Sequence, residues 1–188
     1  MPYLFFVLTF FMLEDSALLL PQETISKSKL NFTSAKVLTS KMSIGSGGEI
    51  EIGGILIYTV TKINYDDSLD GKLTYIVSEK SFEDIARLLG KTTTGDEVKL
   101  SFDHVSALPQ KSADCPGFNL EFKQQLHSAK VGEDVVAIRF DSFLLDIKMD
   151  DQKELDRLLC EWVKRIKAGR GGTRAIITQI NHLLERMN

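Results

Sequence analysis

The sequence predicts an α+β, mainly β fold: an antiparallel six-stranded β-barrel with amphipathic helices at its C-terminal end. Three observations lead to this prediction. From Glu49 onward, short runs rich in β-branched residues alternate with turns that contain glycine, proline and aspartate. The polar run 66–71 (DDSLDG) separates two of these runs, which is typical of a β-hairpin. Two apolar stripes with helical spacing then follow residue 150.

The composition indicates one globular domain. The chain has 188 residues, of which 43% are hydrophobic and 26% charged, and these proportions are typical of folded proteins rather than disordered ones. A net charge of -3 provides no general attraction to nucleic acid, so we expect no nucleic-acid partner. Cys115 and Cys160 are far apart in the sequence, which favours two reduced thiols in a cytosolic protein.

Residues 1–43 are predicted to form an apolar N-terminal segment followed by a polar linker. The apolar run 3–13 (YLFFVLTFFML) is interrupted by Glu14 and Asp15, and it is shorter than the roughly 20 apolar residues that a membrane-spanning helix needs. No basic residue precedes the run, and no A-x-A cleavage site follows it. We therefore expect a cytoplasmic protein without a membrane span. Export or membrane tethering through residues 3–20 is the alternative.

The strands of the barrel are expected within residues 44–168, with one further strand near 36–44. Gly53-Gly54 is expected to form a bulge or turn between two strands. Ser81 is expected to cap a short helix that ends at Gly90. The region between residues 106 and 117 contains two prolines and is predicted to be a loop. The predicted strands are 49–52, 55–65, 72–79, 96–103, 118–126 and 134–148.

Two C-terminal helices are predicted by regular apolar spacing. Asp151 and Glu154 resemble a capping box at the start of the first, which includes Trp162 in its apolar stripe and ends before Gly169. The second helix covers 173–187, within a separate C-terminal segment, 169–188. Its six apolar positions exceed what a solvated tail needs. We therefore expect the 173–187 helix to contact a protein partner or a second copy of the chain.

The order of elements and one motif resemble the PilZ domain family. The family's Asp/Asn-x-Ser-x-x-Gly motif lies in a hairpin turn, as do Asp66, Ser68 and Gly71 here. The runs 95–100 (GDEVKL) and 136–140 (VAIRF) also resemble strands of the family. The resemblance covers roughly residues 44–168 and implies a small β-barrel in a bacterial signalling protein. Family members either bind cyclic di-GMP or act as protein adaptors, so Asp66, Ser68 and Gly71 would be ligand-binding residues.

The chain departs from the family at a second motif, Arg-x-x-x-Arg, because its first arginine is Arg87. Lys36 and Lys41 lie at about the right place upstream, but lysine lacks the planar fork with which arginine binds phosphate or guanine. Binding of cyclic di-GMP is therefore expected to be weak or lost. The turn also has an explanation without a ligand: Asp66 and Ser68 can bond their own backbone, and Gly71 can supply a positive φ.

A weaker candidate site lies between the two C-terminal helices. Arg170, Gly171 and Gly172 precede a helix N-terminus, where backbone N–H groups can bind an anion. The alternative is that these glycines only end one helix and begin the next. No histidine has the spacing of a metal ligand, and no motif for nucleophilic catalysis is present, so we expect no metal, no cofactor and no enzymatic activity.

These observations leave two main functional hypotheses. The first is a non-enzymatic PilZ-like interaction or signalling module in the bacterial cytoplasm. The second is an unrelated β-barrel or β-sandwich protein that acts through oligomerisation or partner docking. A secreted or tethered effector is a third hypothesis.

Overall fold

The computed structural model describes residues 30–34, 36–44, 48–90, 98–110, 117–148, 153–169 and 171–187. These residues form nine strands and three α-helices. The strands are β1 (Asn31–Thr33), β2 (Leu38–Ser43), β3 (Glu49–Ile63), β4 (Leu69–Val77), β5 (Lys99–Pro109), β6 (Gly117–Phe122), β7 (Gln125–Val131), β8 (Asp134–Phe140) and β9 (Phe143–Lys148). The helices are α1 (Phe82–Leu89), α2 (Glu154–Lys167) and α3 (Arg174–Met187).

The strands form one antiparallel sheet in the order β7-β8-β2-β3-β4-β5-β6-β9, and β1 also pairs with β3. The sheet curls into a half-barrel, so that β5 packs against β7 although four strands separate them in the sheet order. The ring of Phe102 on β5 stacks on that of His127 on β7, with centroids 4.6 Å apart. The predicted mainly β, antiparallel class is therefore confirmed.

The predicted count of six strands is imprecise, because the described residues contain nine. The predicted strand 134–148 is divided at Asp141 and Ser142 into β8 and β9, and the chain also turns at Lys123 and Gln124 between β6 and β7. The break at Lys123 and Gln124 carries none of the residues from which turns were predicted, and Asp141 and Ser142 are turn-forming residues that the prediction placed within a strand. Residues 49–63, in contrast, form one long strand through Gly53-Gly54.

Two glycines allow tyrosine rings to lie across the central hairpin. A Cβ on Gly71 would come within 2.8 Å of the Tyr58 ring, and one on Gly54 would come within 2.6 Å of the Tyr75 ring. Both rings are fully buried, and each hydroxyl donates to backbone carbonyl groups, such as Val105 O for Tyr58 at 2.9 Å. Burial raises the pKa of both hydroxyls, that of Tyr75 to about 12. These pairings let neighbouring strands curve closely around the core.

The helices cover one side of this core. Trp162 on α2 is fully buried, as its position in the apolar stripe predicts. Four of the six apolar positions of α3 are also buried: Ile176, Ile177, Ile180 and Leu184 pack into the same core as the strands. Helix α3 contacts β3 and α2. Phe32 and Met42, in β1 and β2, belong to this core as well. Residues described at 30–43 and 171–187 therefore complete the domain that was predicted to span 44–168.

The structure corrects three local predictions. Ser81 does not cap α1 with its side chain; its hydroxyl accepts the N–H of Gly53 at 2.9 Å. Helix α2 begins at Glu154 after Lys153, and Asp151 lies outside the described residues. Cys160 is buried and disulfide-bonded, so the expectation of a reduced thiol is wrong there, and Cys115 lies outside the described residues. In the described part of the chain, no helix is long and apolar enough to cross a membrane.

Candidate functional site

The β3–β4 turn is closed by hydrogen bonds among its own residues. The Ser68 hydroxyl and N–H both donate to Asp66 Oδ1, at 2.7 and 3.1 Å. The amide of Asn64 donates to Ser68 Oγ and to Asp70 Oδ2, both at 3.0 Å. The hydroxyl of Ser68, followed by its N–H, holds the pKa of the Asp66 carboxyl below its ordinary value. The buried Ser68 hydroxyl is thus fully engaged within the turn, whereas Asp66 is exposed.

Helix α2 anchors the tip of this turn. The indole N–H of Trp162 donates to Asp67 Oδ1 at 3.0 Å. Asp67 has φ 65°, a left-handed conformation that is uncommon for residues other than glycine. At the base of the hairpin, the amide of Asn181 on α3 bonds both the N–H and the carbonyl oxygen of Ile63, each at 2.8 Å. The position of the turn is therefore determined by contacts with both C-terminal helices.

Gly71 does not lie in the turn with Asp66 and Ser68. It is buried in β4, opposite Val60 and Val105. Its φ is not positive, and its Cα faces the Tyr58 ring of the core rather than either of the cavities described below. The expectation of a positive φ at Gly71 is therefore wrong. Its requirement for glycine comes from core packing.

Two cavities lie beside the hairpin turn, and we call them together the hairpin groove. The larger, about 550 Å³, is lined by Asp66, Asp67, Leu108, Pro109, Gln110, Glu121 and Ile166. The smaller, about 420 Å³, is lined by Asp66, Ser68, His104, Val105, Ser106, Leu108, Glu121, Lys123, Gln125 and His127. Because Asp66, Leu108 and Glu121 line both cavities, the groove is continuous around them. It combines carboxylates with apolar side chains.

Two histidines face the groove for different structural reasons. His104 has φ 58° and lies in an irregular part of β5, where the pairing with β4 shifts register between Gly71 and Leu73. Such bulges redirect side chains and often occur beside binding sites. His127 stacks on Phe102 and donates through Nε2 to Gln125 Oε1 at 2.7 Å. Burial lowers the pKa of His127, which favours a neutral ring at neutral pH.

The predicted anion site between α2 and α3 is only partly described. Arg170 lies outside the described residues. Gly171 is exposed, and Gly172 has φ 96°, so this glycine serves the backbone path into α3. The carbonyl oxygen of Gly172 accepts a hydrogen bond from Arg165 Nη1 at 3.3 Å, and the same guanidinium is bonded to Glu161 at 2.7 Å. This arrangement accounts for the glycines by local structure.

The sequence predicted Asp66 and Ser68 beside the groove but missed its other wall. Glu121, Lys123 and His127 lie on or beside β6 and β7, far along the chain from the turn, and no motif joined them to it. Over the described residues, no three His, Cys, Asp or Glu side chains are grouped as a metal site. The chain matches no protein-family model, no curated protein and no solved structure.

Proposed function

We propose that this protein is a non-enzymatic interaction module that uses the hairpin groove as its binding surface, with weak or no binding of cyclic di-GMP. The observation that carries the proposal is the groove itself. It lies beside the turn formed by Asp66 and Ser68, and both C-terminal helices hold that turn in place. A rigid turn beside an open groove lowers the entropy cost of binding, because little reorganisation is needed.

The charges of the groove oppose an anionic dinucleotide. Asp66, Asp67 and Glu121 line it, and Lys123 is the one lysine or arginine among the described residues that line it. Carboxylates this close to a bound phosphate would repel it. The Ser68 hydroxyl hydrogen is already donated to Asp66, and Gly71 faces the core, so only Asp66 of the three motif residues is free to meet a ligand.

Lys41, one of the two upstream lysines, lies too far along the sheet to replace a missing arginine. Lys41 pairs with Glu51 on β3, twelve positions before Ile63 at the base of the turn. At about 3.3 Å per residue, this corresponds to roughly 40 Å along the strand. Lys41 Nζ also lies 3.5 Å from Glu49 Oε1. Lys41 therefore supplies no second half-site for phosphate beside the turn.

Two further observations favour interaction over catalysis and over docking by α3. Asp66 accepts two hydrogen bonds that lower its pKa, so it is a weak base for removing a proton from Ser68. Four of the six apolar positions of α3 are buried within the chain, which leaves less apolar surface for the partner contact predicted at 173–187. The groove is therefore the better candidate for a protein partner.

Isothermal titration calorimetry with cyclic di-GMP tests the proposal. We expect no saturable heat at ligand concentrations well above the micromolar range. Micromolar binding that is lost in both Ser68→Ala and Asp66→Asn would contradict the proposal and would restore the sensor hypothesis. Glu185→Gln, on the exposed surface of α3, is the matched charge control for Asp66→Asn.

A further inference from the structure

We propose that the hairpin groove binds an arginine side chain from a basic, extended segment of a partner protein. This inference rests on the proposed function and specifies the chemistry of the partner. The guanidinium would pair with Asp66 and Glu121, and the aliphatic part of the side chain would lie against Leu108 and Ile166. Three features of the groove favour this ligand: its negative charge, its apolar lining and the fixed position of the turn.

The carboxylates stand at the junction of the two cavities. Asp66 and Glu121 line both, so a cation entering from either side meets the same two groups. Asp66 is exposed, and its hydrogen bonds with Ser68 use Oδ1. A carboxylate has capacity for about four hydrogen bonds, so Asp66 can accept further donors without breaking the turn.

The apolar lining favours a long cationic side chain over a compact ion. Leu108 is 36% exposed at the junction, and Pro109 and Ile166 line the larger cavity beside it. Arginine buries its aliphatic stem on such a surface while its charged group reaches a carboxylate. Its guanidinium is more weakly hydrated than an ammonium group and can bind a carboxylate through two parallel hydrogen bonds.

The turn that presents Asp66 is held before any partner binds. Trp162 bonds Asp67, the residue after Asp66, and the amide of Asn64 bonds Ser68 across the turn. Aspartate tolerates the left-handed conformation that Asp67 has, and the bond to Trp162 on α2 holds it there. A bound arginine would therefore meet a carboxylate that is already in position, which favours affinity.

Fluorescence anisotropy with three short labelled peptides tests this inference in the full chain. One peptide is rich in arginine, the second has citrulline at the same positions, and the third has glutamate there. We expect saturable binding of the arginine peptide at physiological salt and none of the other two. Citrulline keeps the shape of arginine but not its charge, so it isolates the charge.

Two substitutions remove charge while they preserve shape. Asp66→Asn keeps an Oδ1 acceptor for Ser68, and Glu121→Gln keeps the length of the side chain. Each is expected to weaken binding of the arginine peptide about tenfold, the ratio that corresponds to one charge-assisted hydrogen bond of about 1.4 kcal/mol. Glu185→Gln makes the same charge change outside the groove and should leave binding unchanged.

Three outcomes would overturn the inference: no binding of the arginine peptide, equal binding of the citrulline peptide, or equal binding by Glu121→Gln and Glu185→Gln. These outcomes can be distinguished from results that would refute the proposed function. Binding of the citrulline or glutamate peptide with NMR shift changes at Glu121 and Lys123 would refute the cationic partner and leave the interaction module standing. Micromolar binding of cyclic di-GMP that is lost in both Ser68→Ala and Asp66→Asn would refute the proposed function itself.

Discussion

Replacing Gly71 by alanine is expected to destabilise the fold through the core and not through a ligand. The new Cβ would lie 2.8 Å from the ring of Tyr58 and would also press on the carbonyl oxygen of Thr59. Backbone cannot move away as the end of a flexible side chain can, so the hairpin must shift. Overpacking of this kind costs about 1–3 kcal/mol. For a chain of this size, about 2–4 °C per kcal/mol gives a fall in Tm of roughly 2–12 °C.

Urea unfolding followed by circular dichroism measures this effect, and Gly48→Ala is the matched control. A Cβ on Gly48 would have no neighbour within 4 Å. The control should therefore change the free energy of unfolding by no more than about 0.5 kcal/mol. Gly54→Ala should behave like Gly71→Ala, because its Cβ would come within 2.6 Å of the Tyr75 ring.

Equal unfolding midpoints for Gly71→Ala and Gly48→Ala would refute this reasoning. If such a stable Gly71→Ala variant also lost a ligand that the unmodified protein binds, Gly71 would be a ligand-binding residue, as the resemblance to PilZ domains implies. The two roles of this glycine are thus separated by one pair of measurements.

Three further predictions concern the core and the turn. Tyr58 and Tyr75 ionise near pH 10 when unfolded but have raised pKa values when folded. Stability is therefore complete below about pH 10, and above it each tyrosine removes about 1.4 kcal/mol per pH unit until its folded pKa is reached. Urea midpoints across alkaline pH measure this loss, and Tyr58→Phe should make their decline less steep without abolishing it, because Tyr75 still ionises. Trp162→Phe removes the donor to Asp67 and should lower the free energy of unfolding by about 1–3 kcal/mol, with faster amide hydrogen exchange at the turn. Unchanged exchange would show that α2 does not hold the turn. Ile177→Ala should lower the free energy of unfolding by about 2–5 kcal/mol at every protein concentration, because the side chain is fully buried within the chain. A urea midpoint that depends on protein concentration would instead indicate an intermolecular role for α3.

Much of the local structure could be predicted from the sequence. The hairpin around residues 66–71, the short helix that ends at Gly90 and the two C-terminal helices all follow from turn residues and apolar spacing. The strand break at 123–124 could not be predicted, because Lys123 and Gln124 do not separate a turn from an exposed strand position. Asp141 and Ser142 are turn-forming residues, but the prediction placed them within one long strand. The prediction that Ser81 caps α1 was also wrong, because its hydroxyl accepts a hydrogen bond from a distant strand instead of from its own helix.

Only the part of the candidate site that lies in the β3–β4 turn could be predicted from the sequence. Asp66 and Ser68 form their own turn within three residues, so a short motif describes them. Glu121 and His127 reach the same groove only because the sheet curls until β5 meets β7. That curl depends on packing between residues far apart in sequence, such as Tyr58 with Gly71 and Phe102 with His127.

The sequence by itself determined the β-rich class, the hairpin and the helical stripes, because propensity and periodicity act over a few residues. Tertiary structure alone decided what those elements do. The same apolar stripe can meet a partner or its own core, and here α3 packs on β3 and α2. The same glycine can open a turn or accommodate a ring, and here Gly71 faces Tyr58. The physical reason is that burial depends on which distant surfaces meet, and spacing along the chain does not encode that directly.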